Sequence, residues 1–134
     1  LFEKILASAQ VGIASISHLE IDVINIRQAS LSAMCRALAA LPCRPDVALV
    51  DGNDPPELPC EVETIVKGDA SVASIVAKVE RERLMKRHHN SFPAYGFETN
   101  VGYRSRAHFA ALRDHGPCPF HRTTFAPVRM VSEA

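Results

Sequence analysis

The apolar run Val47-Ala48-Leu49-Val50 ends on a carboxylate, Asp51, and Gly52-Asn53 comes at once after it. Four apolar residues closed by a turn signal predict a buried strand, and its acidic end falls where α/β sheets place their chemistry. A second carboxylate, Glu82, interrupts a helical stripe. Positions 72, 75, 79, 82 and 86 share one face at 3.6 residues per turn, and the first three are Val72, Ile75 and Val79. A carboxylate turned toward a buried face needs a proton or a cation to hold it there, and divalent metal is the simplest partner for two of them.

The 134 residues, 47% of them apolar, suffice for one domain burying about two-thirds of its unfolded surface, but not for two. No apolar run approaches the ~20 residues of a membrane span, and Leu1-Phe2-Glu3-Lys4 does not open a signal-peptide pattern, so a cytoplasmic protein without membrane contact is expected. Cys35, Cys43, Cys60 and Cys118 are scattered without a C-x-x-C pair, which offers no zinc site and favours reduced structural thiols, with a disulfide as the alternative that spacing leaves open. Net charge is zero, yet the residues through Val66 hold 4 basic and 9 acidic side chains, whereas the remainder hold 11 basic and 6 acidic, with five of the six histidines. The second part therefore offers an electropositive face that could meet phosphates, although an uneven solvated surface would read the same way.

Along the chain, residues 1 to 10 read as the end of a helix and Gln10 to Ser15 as a short strand. Ser17-His18-Leu19-Glu20 has capping-box form, and Asn25 can cap a second helix through Ala40, ended by Pro42 and Pro45. Ile26, Ala29, Ala33, Ala37 and Ala40, with Leu31, Met34, Leu38 and Leu41 beside them, give that helix a broad packing face. The strand Val47 to Asp51, the turn Asp54 to Pro59 and an alternating strand Glu61 to Val66 come next. A helix from about Ser74 to His89, a turn around Phe92 to Phe97, and a last helix from Ser105 to His115 with Gly116 as its stop complete the pattern. This order predicts an α/β fold, a mixed central sheet flanked by helices with a C-terminal helical segment, in a single domain over residues 1 to 134.

Several strings occur together: Asn25-Ile26-x-Gln28-Ala29, Leu49-Val50-Asp51-Gly52-Asn53, Val66-Lys67-Gly68-Asp69-Ala70, Ser74-Ile75-Val76-Ala77-Lys78-Val79-x-Arg81, Tyr95-Gly96-Phe97, Gly102-Tyr103, and His121-Arg122-x-x-Phe125-Ala126-Pro127-Val128. In this order, from about residue 3 to 128, they closely resemble ribonuclease HII, the type 2 ribonuclease H. The resemblance implies a ribonuclease H-like fold and an endonuclease, and a monomer is expected. Its substrates would be the RNA strand of RNA-DNA hybrids and single ribonucleotides embedded in duplex DNA, and its products would carry 5′-phosphate and 3′-hydroxyl ends. It also implies four carboxylates holding two Mg²⁺ or Mn²⁺ ions at the scissile phosphate.

By the same resemblance, Asp51 and Glu82 are catalytic metal ligands, Glu82 standing where the family has aspartate. Tyr103 faces the ribonucleotide sugar, and Lys67 and Ser74 contact the substrate backbone. The family's adjacent Asp-Glu pair in a D-E-A-G-R-G motif has no counterpart in these residues, and between Ala70 and Ser74 the family carries a longer stretch than Ser71-Val72-Ala73. The family's H-K-G-Y string reads Asn100-Val101-Gly102-Tyr103 here. Plainer readings stand beside each role. Asp51 would be a turn residue, Glu82 a surface partner of Lys78 or Lys86, and Tyr103 a core aromatic. Lys67 would be a solvated charge, Ser74 a helix cap, and Asp69 an organiser of the Lys67 loop. His121 and Arg122 serve packing or phosphate contact equally well, and His88 and His89, adjacent on a helix, point to different faces and are not ligands. Two rival functions remain: a relative that holds nucleic acid without cutting it, and an unrelated small α/β enzyme using Asp51 as a base.

Overall fold

Glu20 and Arg36 are 16 residues apart, a separation of about 24 Å along a straight helix, yet their side chains meet at 2.6 Å. The chain therefore turns back between them, and Asn25 is where it does so. Its φ of 67° and ψ of 166° break the helical run, and its Oδ1 accepts from the N–H groups of Arg27 and Gln28 at 3.0 and 3.2 Å, capping the second stretch of helix. Upstream, Ser17 and Glu20 close the expected capping box. The Arg36 guanidinium, and more weakly the Ser17 N–H, hold the exposed Glu20 carboxyl below its usual range.

The computed structural model describes residues 1–65 and 72–133, with side chains at 1–65 and 75–133. Lys67, Asp69 and the shortened stretch at 70–71 lie outside the described residues. The elements are helix α1 (Phe2–Ser8), the two-part helix α2 (His18–Ala39), parallel strands β1 (Val47–Asp51) and β2 (Glu61–Ile65), and helices α3 (Val72–Ser91), α4 (Phe97–Asn100), α5 (Arg106–His115) and α6 (Ala126–Ser132). A 3₁₀ turn, Pro93–Tyr95, separates α3 from α4. The chain divides into two compact units, Leu1–Ala77 and Lys78–Ala134. No helix among the described residues is long and apolar enough to cross a membrane. All four cysteines are free thiols, and no group of three or more His, Cys, Asp or Glu that could hold a metal ion occurs among the described residues.

In the first unit, β1 and β2 pair in register from Val47 with Glu61 to Asp51 with Ile65. The nine intervening residues span at most about 30 Å, which is enough to return the chain by the ~13 Å length of a five-residue strand without a crossover helix. The expected burial of β1 is only half realised. Val50 is buried, but Leu49 is 63% exposed and Val47 is exposed too, so one face of the pair is covered and the other, with Ile65, is open. The expected strand at Gln10 to Ser15 is absent, because that segment lies against α2 instead of joining the ladder. At Gly12 a Cβ would collide with the Ala37 carbonyl, and Leu41 is close behind. Only a residue without a side chain permits that approach. Ala29 is the buried centre of the α2 face, whereas Ile26 and Met34 are exposed.

The second unit is built on Tyr95, Phe97, Ala111, Leu112, Cys118 and Val128. Burying Leu112 completely stabilises the unit by about 1.5–3 kcal/mol. Ser105 caps α5, and Gly116, with φ of 69°, takes the chain out of it. The sequence pattern did not anticipate α6, which begins after Phe125 with Pro127 in its first turn. His108 and His121 are buried in this core, their Nε2 atoms 3.2 Å apart, and His121 Nδ1 accepts from the Cys118 N–H at 3.0 Å. The neutral ring of His121 therefore carries its proton on Nε2 and donates to His108, which holds its own proton on Nδ1. Burial pushes His108 below the ordinary value of 6.5, the Tyr95 backbone pulling the other way without forming a well-aligned bond to Nδ1.

This packing can be tested in two ways. Gly12→Ala should destabilise the first unit by about 1–3 kcal/mol, measured by urea unfolding, because the obstacle is backbone that cannot step aside. A depressed histidine pKa leaves stability intact above the unfolded value of 6.5 and removes it as pH falls from there toward the lower folded value. Unfolding free energy should thus drop as pH falls below the ordinary histidine value of 6.5, and His108→Gln should flatten that slope. An unchanged slope in the variant would contradict the neutral pairing.

Candidate active site

Asp51 is the last residue of β1, opposite Ile65, whose carbonyl accepts from the Gly52 N–H at 3.0 Å. That bond carries the ladder one residue past the carboxylate. Gly52, at φ 121°, then turns the chain through backbone space that a side chain rarely enters. Asp51 itself is exposed, so strand pairing fixes its backbone while its side chain is open to solvent. The bare turn reading fits this less well, since Asp51 is paired in the sheet and the turn begins with Gly52.

Glu82 lies on α3 as the stripe predicts, with Ile75, Val79 and Glu82 all half-buried and Lys86 exposed. Among the described residues Glu82 makes no ion pair with Lys78 or Lys86, so the surface-partner reading finds no support. Glu80 takes the local ion pair instead, with Arg83 at 3.0 Å. Ser74 is the third residue of α3 and so sits inside the first turn, not at the cap. Asp51 belongs to the first unit and Glu82 to the second.

Tyr103 is 63% exposed, which rules out the core-aromatic reading. Its loop is tied down on several sides. The Tyr103 N–H donates to the Asn100 carbonyl at 2.8 Å, and the Asn100 side chain accepts from the Gly102 N–H at 2.8 Å while donating to the Tyr95 carbonyl at 2.7 Å. Asn100 thus joins the loop to the buried aromatic core, a role its spacing gave no hint of. From α3, the Arg81 guanidinium lies over the Tyr103 ring, 4.2 Å from its centroid. The sequence offers Arg81 only as the end of a family string and suggests no role for it, because a charged residue on an exposed helix face is unremarkable by type.

Of the other residues singled out, Tyr95 and Phe97 are core, stacked at 5.5 Å, with the Tyr95 hydroxyl donating to the Gly116 carbonyl at 2.7 Å. His121 is likewise core, which decides for packing over phosphate contact. His88 packs on Phe120 at 3.8 Å while His89 reaches Glu98 at 3.6 Å, the divergence expected of helix neighbours. A hollow of about 350 Å³ lies in the first unit between Cys35, Leu38, Arg44 and Leu58, with neither carboxylate in its lining.

The ribonuclease HII family model matches residues 3–128. This chain belongs to that family. It is 56% identical to the ribonuclease HII of Xanthobacter autotrophicus over 96% of its own length and 54% of the relative's. To the ribonuclease HII of Maricaulis maris it is 51% identical over its whole length and 64% of the relative's. The chain thus spans roughly half to under two-thirds of these relatives. Among solved structures, the ribonuclease H2 of Pyrococcus horikoshii OT3 superposes with a TM-score of 0.68 at 23% identity, over 88% of this chain and 66% of that one. The fold is therefore the ribonuclease H-like α/β fold expected.

The Asn100 bridge yields a stability test. Asn100→Ala removes one donor and one acceptor bond from a partly buried loop and should cost about 1–3 kcal/mol in urea unfolding of the second unit.

Proposed function

We propose that this chain carries the nucleic-acid-cutting chemistry of its family: metal-dependent endonucleolytic cleavage of the RNA strand of RNA-DNA hybrids and of single ribonucleotides in duplex DNA, leaving 5′-phosphate and 3′-hydroxyl ends. The observation that carries this reading is the family match over residues 3–128, a span that contains Asp51, Glu82 and Tyr103. The reading takes the protein to be a cytoplasmic monomer.

Asp51 and Glu82 would hold the divalent ions, Mg²⁺ or Mn²⁺. Their donor chemistry fits, since hard cations take carboxylate oxygens. One carboxylate is open to solvent at a strand end, and the other is half-buried with no ion-pair partner among the described residues. When bound, a pair of such ions supplies an activated water and stabilises the leaving 3′ oxygen. The chain's own residues do the rest. Asp51 is held by the strand ladder and Glu82 by the helix, so neither needs to be ordered when substrate arrives. Tyr103 offers an exposed ring to the ribose, where a 2′-hydroxyl is what distinguishes RNA from DNA. Lys67 and Ser74 would contact the substrate backbone, positioning it without reading sequence.

One observation favours a second reading. The residues after Val66 hold 11 basic and 6 acidic side chains, a surplus of cations that suits a phosphate backbone. A chain of this composition could bind the duplex through its basic second part without cutting.

A labelled DNA duplex carrying one ribonucleotide, incubated with Mg²⁺ or Mn²⁺, separates the two. We expect cutting beside the ribonucleotide, reduced about 100-fold or more in Asp51→Asn, since even partners one shell beyond a metal ligand cost about 10- to 100-fold. Binding without cutting, weakening steeply as salt rises, would establish the second reading.

A further inference from the structure

We propose that Arg81 is a positioning residue for Tyr103, and that it makes α3 the common support of the Glu82 carboxylate and the ribose-facing ring. This rests on the function proposed above for Tyr103. Arg81 makes two contacts with the same loop. Its guanidinium covers the Tyr103 ring at 4.2 Å, and its Nη2 donates to the Val101 carbonyl at 3.0 Å. The stacked contact fixes the plane of an exposed ring that would otherwise rotate, and the hydrogen bond fixes the backbone that carries it.

The loop needs that support. Val101 has φ of 51° and ψ of 31°, a left-handed conformation that β-branched residues rarely take, and Gly102 comes next at φ 75°. Such a conformation persists only where neighbours over-determine it. Asn100 supplies one restraint through the Gly102 N–H, and Arg81 supplies the other through the Val101 carbonyl. Met85, one turn along α3 from Arg81, comes so close to Gly102 that a Cβ there would stand 3.0 Å from its Cε. Residues 81 and 85 thus form a platform under the loop. Glu82 is the next residue after Arg81 on the same rigid helix, so the spacing between carboxylate and tyrosine is set by helix geometry and not by a mobile loop.

The test compares binding of a DNA duplex with one ribonucleotide against the same all-DNA duplex, in EDTA so that nothing is cut, by the full chain and its variants. Arg81→Ala should lower the ratio of the two affinities by about two- to fivefold, the worth of an exposed cation–π contact. In a Tyr103→Ala background the same substitution should change the ratio no further, because the residue acts through the ring. Arg81→Lys keeps the charge but not the planar fork and should fall with alanine. An equal loss of affinity for both duplexes, or full recovery in Arg81→Lys, would make Arg81 a simple phosphate contact and overturn the proposal. Should the unaltered chain not distinguish the duplexes, the functional reading of Tyr103 fails, and the aromatic ¹H–¹³C spectrum judges the positioning on its own. The chain has two tyrosines, Tyr95 buried and Tyr103 exposed. Tyr103 ring signals that move in Arg81→Ala support the clamp, and unmoved signals overturn it.

Discussion

An α-helix turns about 100° per residue and holds its side chains at fixed offsets, and the second unit depends on that constraint in α3. Different positions along this helix meet different neighbours. Arg81 and Met85 lie under the Tyr103 loop, His88 packs on Phe120, and His89 reaches Glu98. The loops after α3 are irregular and would wander by themselves, since short connections have few internal contacts. Anchored to one helix, they inherit its rigidity. Glu82 sits among these anchors without serving as one, which leaves its carboxylate available.

The core beneath supplies the second restraint. His108 and His121 pack at tilted angles on Tyr95 and Phe97, at ring distances of 5.0 to 6.4 Å. Apolar residues of similar size would fill the space but would not choose an orientation. Imidazoles do choose: the Cys118 N–H fixes the His121 tautomer, and His121 in turn fixes that of His108. The turn from Gly116 to His121 is thereby tied to α5, and the Tyr95 hydroxyl closes the same turn from the other side. Burial raises the Tyr95 and Cys118 pKa values, so the cluster is neutral at the pH where its hydrogen bonds are defined.

What the sequence made legible was local. The Ser17–Glu20 box, the Asn25 cap, the β1 span to Asp51 and the Gly116 stop each arise from one or two residues acting on adjacent backbone, and all are present. The strand expected at Gln10 to Ser15 fails because extended chain joins a sheet only when a neighbour accepts its hydrogen bonds, and a glycine suited to close packing looks the same as one in a strand. The exposure of Leu49 has a related cause, since an apolar run shows that a strand can be covered, not what covers it. At the site, the carboxylates stood out because they broke an apolar pattern, whereas Arg81 and Asn100 broke none. Their roles arise from contacts across 20 and 5 residues that no period encodes.

Those two residues also explain why the loop can depart from its family's pattern. Where the resemblance leads one to expect histidine and lysine, this chain has Asn100 and Val101. Asparagine offers a donor and an acceptor on one short side chain, and both are used, so the substitution gives up reactive groups and gains an anchor. Valine brings no polar group and adopts a backbone conformation that costs about 1–3 kcal/mol. A residue so ill-suited to its φ is retained only if its carbonyl is held, and the donor that holds it is the guanidinium that also covers Tyr103. Strain at Val101 and order at Tyr103 are in this sense one arrangement. Relaxing the first by letting the carbonyl go would free the ring that the same guanidinium covers.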